Sequence, residues 1–200
     1  MILLLWLFSF NLQAEVHIKA YKDNYSWKEE WTKVIASVAS DSAITNISID
    51  KDDLTELGCA SYNEATVSEK ADFWVVFFSS LTRAESAFNP KAISAKNRGH
   101  RSFGLLQLAK QTAKKRCEVS DVFSAENNLR CGVKLMKWQL DGAPVSETKK
   151  LRSDLEGQLF GKYIFQWGPL REEDFRGRKL LVDWFHDHLD QMPFCQKSIQ

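Results

Sequence analysis

Residues 71–85 read ADFWVVFFSSLTRAE, and this stretch decides the fold. Apolar side chains fall on nearly every face of a helix drawn through it, so the segment is predicted to be buried on most sides. Its valines and phenylalanines also suit a strand, but the stretch is longer than a usual strand, and Pro90 is a typical stop after a helix. We therefore predict a buried helix that ends near Glu85.

Glu85 is the candidate catalytic residue. In the last turn of a buried helix a carboxylate meets apolar neighbours and the negative end of the helix dipole, and both raise its pKa. A carboxyl group that keeps its proton near neutral pH can donate it to a glycosidic oxygen. The competing interpretation is a helix-end carboxylate paired with Arg83, Arg98 or Arg101.

A second carboxylate is missing at any defining spacing. Glycosidic cleavage usually requires a second acid or help from the N-acetyl group of the substrate. The next acid after Glu85 is Glu118, and Asp121 or Asp141 would approach only through tertiary folding. The sequence alone therefore provides one acid.

A series of short motifs surrounds and follows Glu85. They are Glu85-Ser86, Asn89-Pro90, Ala92, Ser94, Gly104-Leu105-Leu106-Gln107-Leu108, Thr112-Ala113, Asn128-Leu129, Gly132 and Leu135. In order and spacing the series resembles the soluble lytic transglycosylase and goose-type lysozyme superfamily. The resemblance implies a mostly α-helical, lysozyme-like fold and action on peptidoglycan, without a cofactor or a metal.

The same resemblance assigns roles to individual residues. It makes Glu85 the sole catalytic acid and base, and it gives Ser86 a part in positioning the glycan. The floor beside the scissile bond would be formed by Gly104, Leu105, Leu106 and Gln107. Leu106 replaces the methionine that is usual in the family, which is a volume-conserving change that should preserve the floor.

The segment between Ser94 and Gly104 departs from the family pattern. It is longer and more basic than usual, with added Lys96, Arg98, His100 and Arg101. Beside a cleft these charges could meet a lactyl or peptide carboxylate, and a solvated surface loop is the alternative interpretation.

The late Y-N-x-G-P motif of the family corresponds to FQWGP at residues 165–169. Phe165 lacks the tyrosine hydroxyl, whereas Gln166 keeps an amide with a longer reach. Tyr163 is the candidate replacement for the hydroxyl, and we expect all three residues to contact substrate. Sugar recognition is therefore predicted to be unusual in this chain.

One consequence is a hypothesis about substrate chemistry. A changed pocket near Phe165 and Gln166 is compatible with a de-N-acetylated sugar, whose exposed amine would need an acid nearby. The candidate acids are Glu156, Glu172 and Glu173.

Composition and charge exclude some functions. A chain of 200 residues with 44% hydrophobic residues can bury one core but not two large ones. A formal charge of +1 argues against electrostatic binding of nucleic acid by the whole protein. We expect a monomer.

The N-terminus predicts export. Residues 1–14 resemble a secretory signal with an apolar segment too short to span a bilayer and Ala14 at the cleavage point. An uncleaved anchor or an upstream start stays open, because the usual positive charges are missing. Residues 15–66 are then an N-terminal helical extension and residues 67–200 the catalytic domain of a secreted or periplasmic enzyme, with no stable membrane insertion after cleavage.

Four cysteines support this compartment. Cys59, Cys117, Cys131 and Cys195 show no zinc-binding spacing and allow three pairings. We favour Cys117 with Cys131 and Cys59 with Cys195, and four reduced, buried thiols are the alternative.

Further helices are predicted around the central one. Trp27 and Trp31 belong to an amphipathic helix that we expect Ser26 to cap, with Glu29 as its capping-box partner. The other predicted helices cover residues 50–57, 110–117, 125–140 and 172–189. His186 and His188 are expected to be solvated rather than to bind zinc.

The function predicted from these observations is cleavage of the β-1,4 bond between N-acetylmuramic acid and N-acetylglucosamine. If the muramic C6 hydroxyl attacks, the enzyme is a lytic transglycosylase, and if water attacks it is a lysozyme. The absent second carboxylate slightly favours the first. The rival interpretation is a non-catalytic glycan-binding module on the same fold.

Overall fold

The computed structural model describes residues 16–21, 25–95, 101–142, 156–162, 164 and 166–197. Its helices in this part of the chain are α1 (Glu29–Asp41), α2 (Lys51–Glu56), α3 (Val67–Ser86), α4 (Lys110–Cys117), α5 (Ala125–Leu140) and α6 (Phe175–His186). Among the described residues β structure is limited to two isolated bridges, Ile93 with Phe103 and Phe103 with Leu108. The mostly helical, lysozyme-like fold class predicted from the sequence is confirmed.

Helix α3 is the predicted buried helix and lies at the centre of the fold. Every residue from Ala71 to Thr82 is buried. Helices α1 and α6 pack against it, and α5 packs against both α1 and α4. Because all these contacts converge on one apolar cluster, Glu85 at the far end of α3 is held by a rigid support.

The predicted helix boundaries are right at α4 and α5 and differ at α1 and α6. Ser26 is not the N-cap of α1, because the helix begins at Glu29 after Lys28, and no side chain caps it. The reason is Trp27, whose indole N–H donates to Thr32 Oγ1 at 2.9 Å while its ring packs edge-to-face on Trp31. Burying this indole keeps the preceding backbone out of the helix.

Helix α6 begins later and ends earlier than predicted. Asp174 caps it by accepting a hydrogen bond from Gly177 N–H at 3.0 Å, so residues 172–173 precede the helix. His188, predicted to be solvated, is completely buried. Its Nε2 accepts from Lys19 N–H at 3.0 Å and its Nδ1 therefore donates to Trp184 O at 2.7 Å, so the imidazole is a neutral core residue. Burial accordingly lowers the pKa of His188.

Two disulfides join the residues that the sequence favoured as pairs. Cys59 is bonded to Cys195, and Cys117 to Cys131. The first fastens the region before α3 to the end of the described chain, and the second links α4 to α5. None of the described helices has the length and apolar character needed to cross a bilayer. The predicted signal segment, residues 1–14, and the basic residues 96–100 lie outside the described residues, and the division into an extension and a catalytic domain stays a prediction.

A polar anchor positions the segment that precedes the late motif. Asp53 in α2 accepts hydrogen bonds from the backbone N–H groups of Leu159 and Phe160, at 2.7 and 3.2 Å. Burial raises the pKa of Asp53 to about 6. Nearby, Arg178 forms an ion pair with Glu56 and lies over the ring of Phe160. Residues 156–162 are thereby tied to α2 and α6, and the chain that follows them is directed toward the end of α3.

Candidate active site

Glu85 lies one residue before the end of α3, where the backbone turns sharply. Ala87 and Phe88 follow with φ of 48° and 64°, a left-handed conformation that is costly for residues other than glycine. It is maintained because Phe88 is completely buried and packs on Tyr21, Trp27 and Trp184. The turn ends α3 there and leaves Glu85 beside an open cleft.

The cleft has a volume of about 520 Å³, within the range of sites that bind small ligands and sugars. It is lined by residues 83–87 at the end of α3, residues 92–94, Ser102, Gln107 and Leu180. Glu85 is the one carboxylate among these described lining residues. Both Glu85 and Ser86 are partly exposed, so a ligand in the cleft can reach them.

The electrostatics of Glu85 favour the protonated form. Burial, with a smaller contribution from the charge of Asp174, raises the pKa of its carboxyl group to about 8. The positive charge of Arg171 and a hydrogen bond from Gly168 N–H act in the opposite direction, but they are smaller effects. Arg83 does not pair with Glu85 and instead contacts the ring and hydroxyl of Tyr21. At neutral pH Glu85 therefore holds a proton next to the cleft.

The turn from Gly104 to Gln107 is fixed by Asn128 of α5. Asn128 is completely buried, and its Oδ1 accepts from Leu106 N–H at 2.8 Å while its Nδ2 donates to Phe103 O and Val122 O. Gly104 has φ of +76°, and a Cβ there would lie 2.4 Å from Asn128 Nδ2. Only glycine fits this position, which explains why the motif begins with one.

Gln107 completes the turn. It has φ of 46°, is only 8% exposed and lines the cleft. Its Nε2 donates to Gly104 O at 2.8 Å and to Ala92 O at 3.3 Å. These bonds hold its amide against the floor and tie residues 92–94 to the turn.

The late motif joins the turn to the acid. Trp167 is buried, and its indole N–H donates to Leu106 O at 2.9 Å. The next residue, Gly168, donates its backbone N–H to Glu85 and begins a short 3₁₀ turn over Gly168–Leu170. Elements distant in sequence therefore meet at the carboxyl group of Glu85.

A comparison with protein families identifies this arrangement. Residues 59–151 match the family model of the transglycosylase SLT domain. The match contains α3, Glu85 and the Gly104–Gln107 turn, which are the parts of the chain that carried the resemblance in sequence.

Solved structures share the fold of this chain. The wild-type form 2 of Bd0314 DslA superposes with a TM-score of 0.61 at 18% identity, over 84% of this chain and 91% of that chain. Two glutamate-to-glutamine mutants of Bd0314 DslA give TM-scores of 0.60 and 0.59 at 20% and 19% identity, over 84% and 80% of this chain and 91% and 90% of theirs. At such identities the likeness shows the fold alone. No curated protein is similar enough in sequence to count as a match.

The structure brings some of the predicted site residues to the cleft and not others. Glu85, Ser86 and Gln107 line it. Leu105 and Leu106 are completely buried, and Leu106 packs so closely on α5 that a Cβ on Gly132 would lie 2.1 Å from its Cδ1. They support the floor of the cleft from below, and Gly104 provides its backbone turn. Gln166 is partly exposed outside the lining, and Tyr163 and Phe165 lie outside the described residues.

Sequence reasoning missed three contributors to the site. Asp174 and the backbone N–H of Gly168 act on the carboxyl group of Glu85, and Leu180 lines the cleft from α6. A backbone donor leaves no mark on residue choice, and Asp174 looks like an ordinary helix cap. The one available signal was Leu180, an apolar side chain that is exposed on α6.

Proposed function

We propose that this protein is a peptidoglycan-cleaving glycosidase that acts on the β-1,4 bond between N-acetylmuramic acid and N-acetylglucosamine. The observation that carries the proposal is Glu85, a carboxyl group with a raised pKa at the edge of a cleft and inside the SLT match. Peptidoglycan is the substrate that this family implies. The two disulfides support a secreted or periplasmic location, because such bonds persist in oxidising compartments.

The reaction begins with proton transfer from Glu85 to the glycosidic oxygen. The bond from that oxygen to the muramic C1 breaks, and positive charge develops at C1 and the ring oxygen. Glu85, now ionised, accepts the proton of the attacking group. Ser86 beside it is proposed to hold the glycan in register, and the turn ending at Gln107 supports the sugar from below.

The group that attacks the muramic C1 decides whether the enzyme is a lytic transglycosylase or a lysozyme. A lysozyme of the inverting type needs a second carboxylate about 6.5–9.5 Å from the first to activate water. Among the described residues that line the cleft, Glu85 is the one carboxylate, and Asp174 is engaged in capping α6. This supports attack by the muramic C6 hydroxyl and a 1,6-anhydro product.

Mass spectrometry of released muropeptides tests the proposal. The purified protein is incubated with sacculi, and the soluble products are compared with those of a reference lysozyme. A lytic transglycosylase releases products that are one water lighter than the hydrolysed ones. Release of reducing-end products would change the assignment to lysozyme. Binding to sacculi with no release at all would favour the rival, a non-catalytic glycan-binding module.

A finer proposal concerns the acetylation of the sugar. Glu156, Glu172 and Glu173 are exposed, and the last two lie directly before the cap of α6. A free amine on a de-N-acetylated sugar could pair with one of them. Turnover of a de-N-acetylated wall is expected to fall when that wall is chemically re-acetylated, and equal rates on both preparations would exclude this preference.

A further inference from the structure

Positive charge is concentrated in the segment that follows Glu85. Between Ser86 and Cys117 the sequence has eight lysines and arginines and no aspartate or glutamate, although the whole chain has 27 basic and 26 acidic residues. Six of the eight belong to the described residues, and all six are exposed: Lys91, Arg101, Lys110, Lys114, Lys115 and Arg116. These six side chains are called the basic surface below.

The cations of the basic surface differ from several cations on neighbouring helices in having no acidic partner among the described residues. Cations on neighbouring helices form ion pairs, for example Arg130 with Glu126, Lys137 with Asp141 and Lys179 with Asp183. None of the six cations of the basic surface pairs with a carboxylate of the described chain. Its positive field is therefore directed outward, where it can attract an anion.

Three of the six cations lie over aromatic rings, and two of these three share one pair of phenylalanines. Phe103 and Phe123 pack edge-to-face at 5.6 Å, and both are partly exposed. The ammonium group of Lys110 lies 4.7 Å from the centre of the Phe103 ring, and that of Lys91 lies 5.5 Å from the centre of the Phe123 ring. These contacts reduce the freedom that the two lysines would lose on binding a ligand.

The basic surface adjoins the cleft. Phe103 pairs through β-bridges with Ile93 and with Leu108, and its neighbour Ser102 lines the cleft together with Ile93. Lys91 directly precedes Ala92, another lining residue. The backbone that carries Lys91 and Phe103 is therefore continuous with one wall of the cleft.

We propose that the basic surface binds the free carboxylates of the peptide stems carried by the glycan in the cleft. The inference rests on the proposed function, because it takes peptidoglycan as the occupant. An N-acetylated glycan backbone is uncharged apart from its substituents, whereas each peptide stem ends in carboxylates that project from the strand. Lysine ammonium groups bind such carboxylates as point charges, without a demand for fixed geometry. The surface thus selects strands that bear stems and orients them across the cleft.

Binding by an inactive protein tests this inference separately from catalysis. Dissociation constants are measured for the Glu85→Gln protein on soluble glycan strands with intact stems and on the same strands after an amidase has removed the stems and the lactyl carboxylates thereby exposed have been converted to neutral methylamides. The double variant Lys91→Gln with Lys110→Gln is compared with a matched control, Lys33→Gln with Lys134→Gln, which removes two exposed lysines elsewhere. Thermal unfolding by circular dichroism verifies that each variant is folded.

The parent protein is expected to prefer stem-bearing strands, and raised salt should weaken that preference. Removing Lys91 and Lys110 should reduce the preference about two- to fivefold, the range expected for exposed charge pairs, and the matched control should not. Arginine in place of both Lys91 and Lys110 should retain the preference for stem-bearing strands. Equal affinity for both strands, or equal losses in variant and control, would overturn the proposal. The proposal would also be overturned if a phosphate-rich wall polymer displaced the glycan strands from the protein while removal of the stems had no effect on affinity. Absence of muropeptide release by wild type would instead contradict the proposed function.

Discussion

The two ends of α3 are built in opposite ways. At its beginning, Thr66 and Glu69 form a capping box in which each side chain accepts the other's backbone N–H. Further along, Trp74 is completely buried, and its indole N–H donates to the hydroxyl of Tyr62 at 3.0 Å. The polar groups at this end have hydrogen-bond partners, and the aromatic rings pack without backbone strain.

The other end of α3 breaks these rules. Thr82 Oγ1 is buried without a partner among the described residues, Ala87 and Phe88 have left-handed backbone, and Glu85 is a carboxyl group in surroundings that oppose its ionisation. Local costs of this kind persist where they serve a function. The comparison teaches that one end of the helix stabilises the fold, whereas the other uses that stability to hold a protonated acid.

The largest expected effect is at the functional end. Glu85→Gln removes the proton donor but keeps the shape of the side chain, so turnover of sacculi should fall by about 10²–10⁴-fold, the usual contribution of general acid–base catalysis. Binding to sacculi should change little. Turnover is measured by the release of muropeptides, and binding by the amount of protein that pellets with sacculi on centrifugation. A variant that still releases products at the wild-type rate would remove Glu85 from the mechanism.

The same variant has a second consequence, for stability. The unfolded chain releases the Glu85 proton near its ordinary pKa of 4.5, whereas the folded protein releases it only near 8. Between these values the folded state binds the extra proton, so this residue makes the free energy of unfolding fall as pH rises. The difference in the free energy of unfolding between Glu85→Gln and wild type should therefore be more favourable to the variant at pH 8 than at pH 5. Parallel melting curves at the two pH values check this difference.

In the buried middle of α3, Phe77→Ala should destabilise the fold without touching the chemistry. Phe77 is completely buried and contacts Phe73, Trp74 and Phe78. Truncating such a ring usually costs about 3–5 kcal/mol. Urea unfolding should show this loss, while activity at low temperature should stay within a few-fold of wild type because the cleft residues are unchanged. A stable but inactive variant would contradict the division between the two ends.

The sequence predicted the buried middle of α3 and the acid that follows it, but not the capping box at the beginning of the helix. Apolar residues on every face require burial wherever the helix packs, so α3, α4 and α5 could be derived from periodicity and stop signals. Glu85 could be singled out because a carboxylate stands directly after that apolar run.

What could not be derived is how distant segments meet at that carboxylate. Gly168 reaches Glu85 through a backbone N–H, and Asp174 acts through its charge across space. Neither contact has a periodicity or a spacing that could reveal it. The burial of His188 was missed for the same reason, because its partner is the backbone N–H of Lys19.

Loss of the capping box should lower the free energy of unfolding by less than the truncation of Phe77 does. Thr66→Ala removes the hydroxyl that accepts from Glu69 N–H, and replacing such an N-cap residue usually costs about 1 kcal/mol. The midpoint of urea unfolding should decrease while the pH dependence of activity stays that of wild type. Thr66→Ser, which keeps the hydroxyl, is the matched control. A shift of the pH profile by Thr66→Ala would mean that the two ends of α3 are not independent.

Asp174→Asn should have the smallest effect, and it sharpens the comparison most directly. Asparagine can still accept from Gly177 N–H, so the cap of α6 is kept while the negative charge that raises the pKa of Glu85 is lost. The pKa of Glu85 should then fall by less than burial raises it, since burial is the larger cause. Because Glu85 must be protonated to act, the alkaline limb of the activity profile should move to lower pH, with little change in the rate near neutrality.

Asp183→Asn is the control for this variant. Asp183 is an exposed acid on the same helix that pairs with Lys179, and its replacement removes the same charge without moving the limb. If Asp174→Asn leaves the alkaline limb in place, or if both variants shift it equally, then the proton on Glu85 is kept by burial alone. In that case the functional end of α3 would need nothing from α6 beyond the apolar contact of Leu180, and the contrast between the two ends would reduce to a difference in packing.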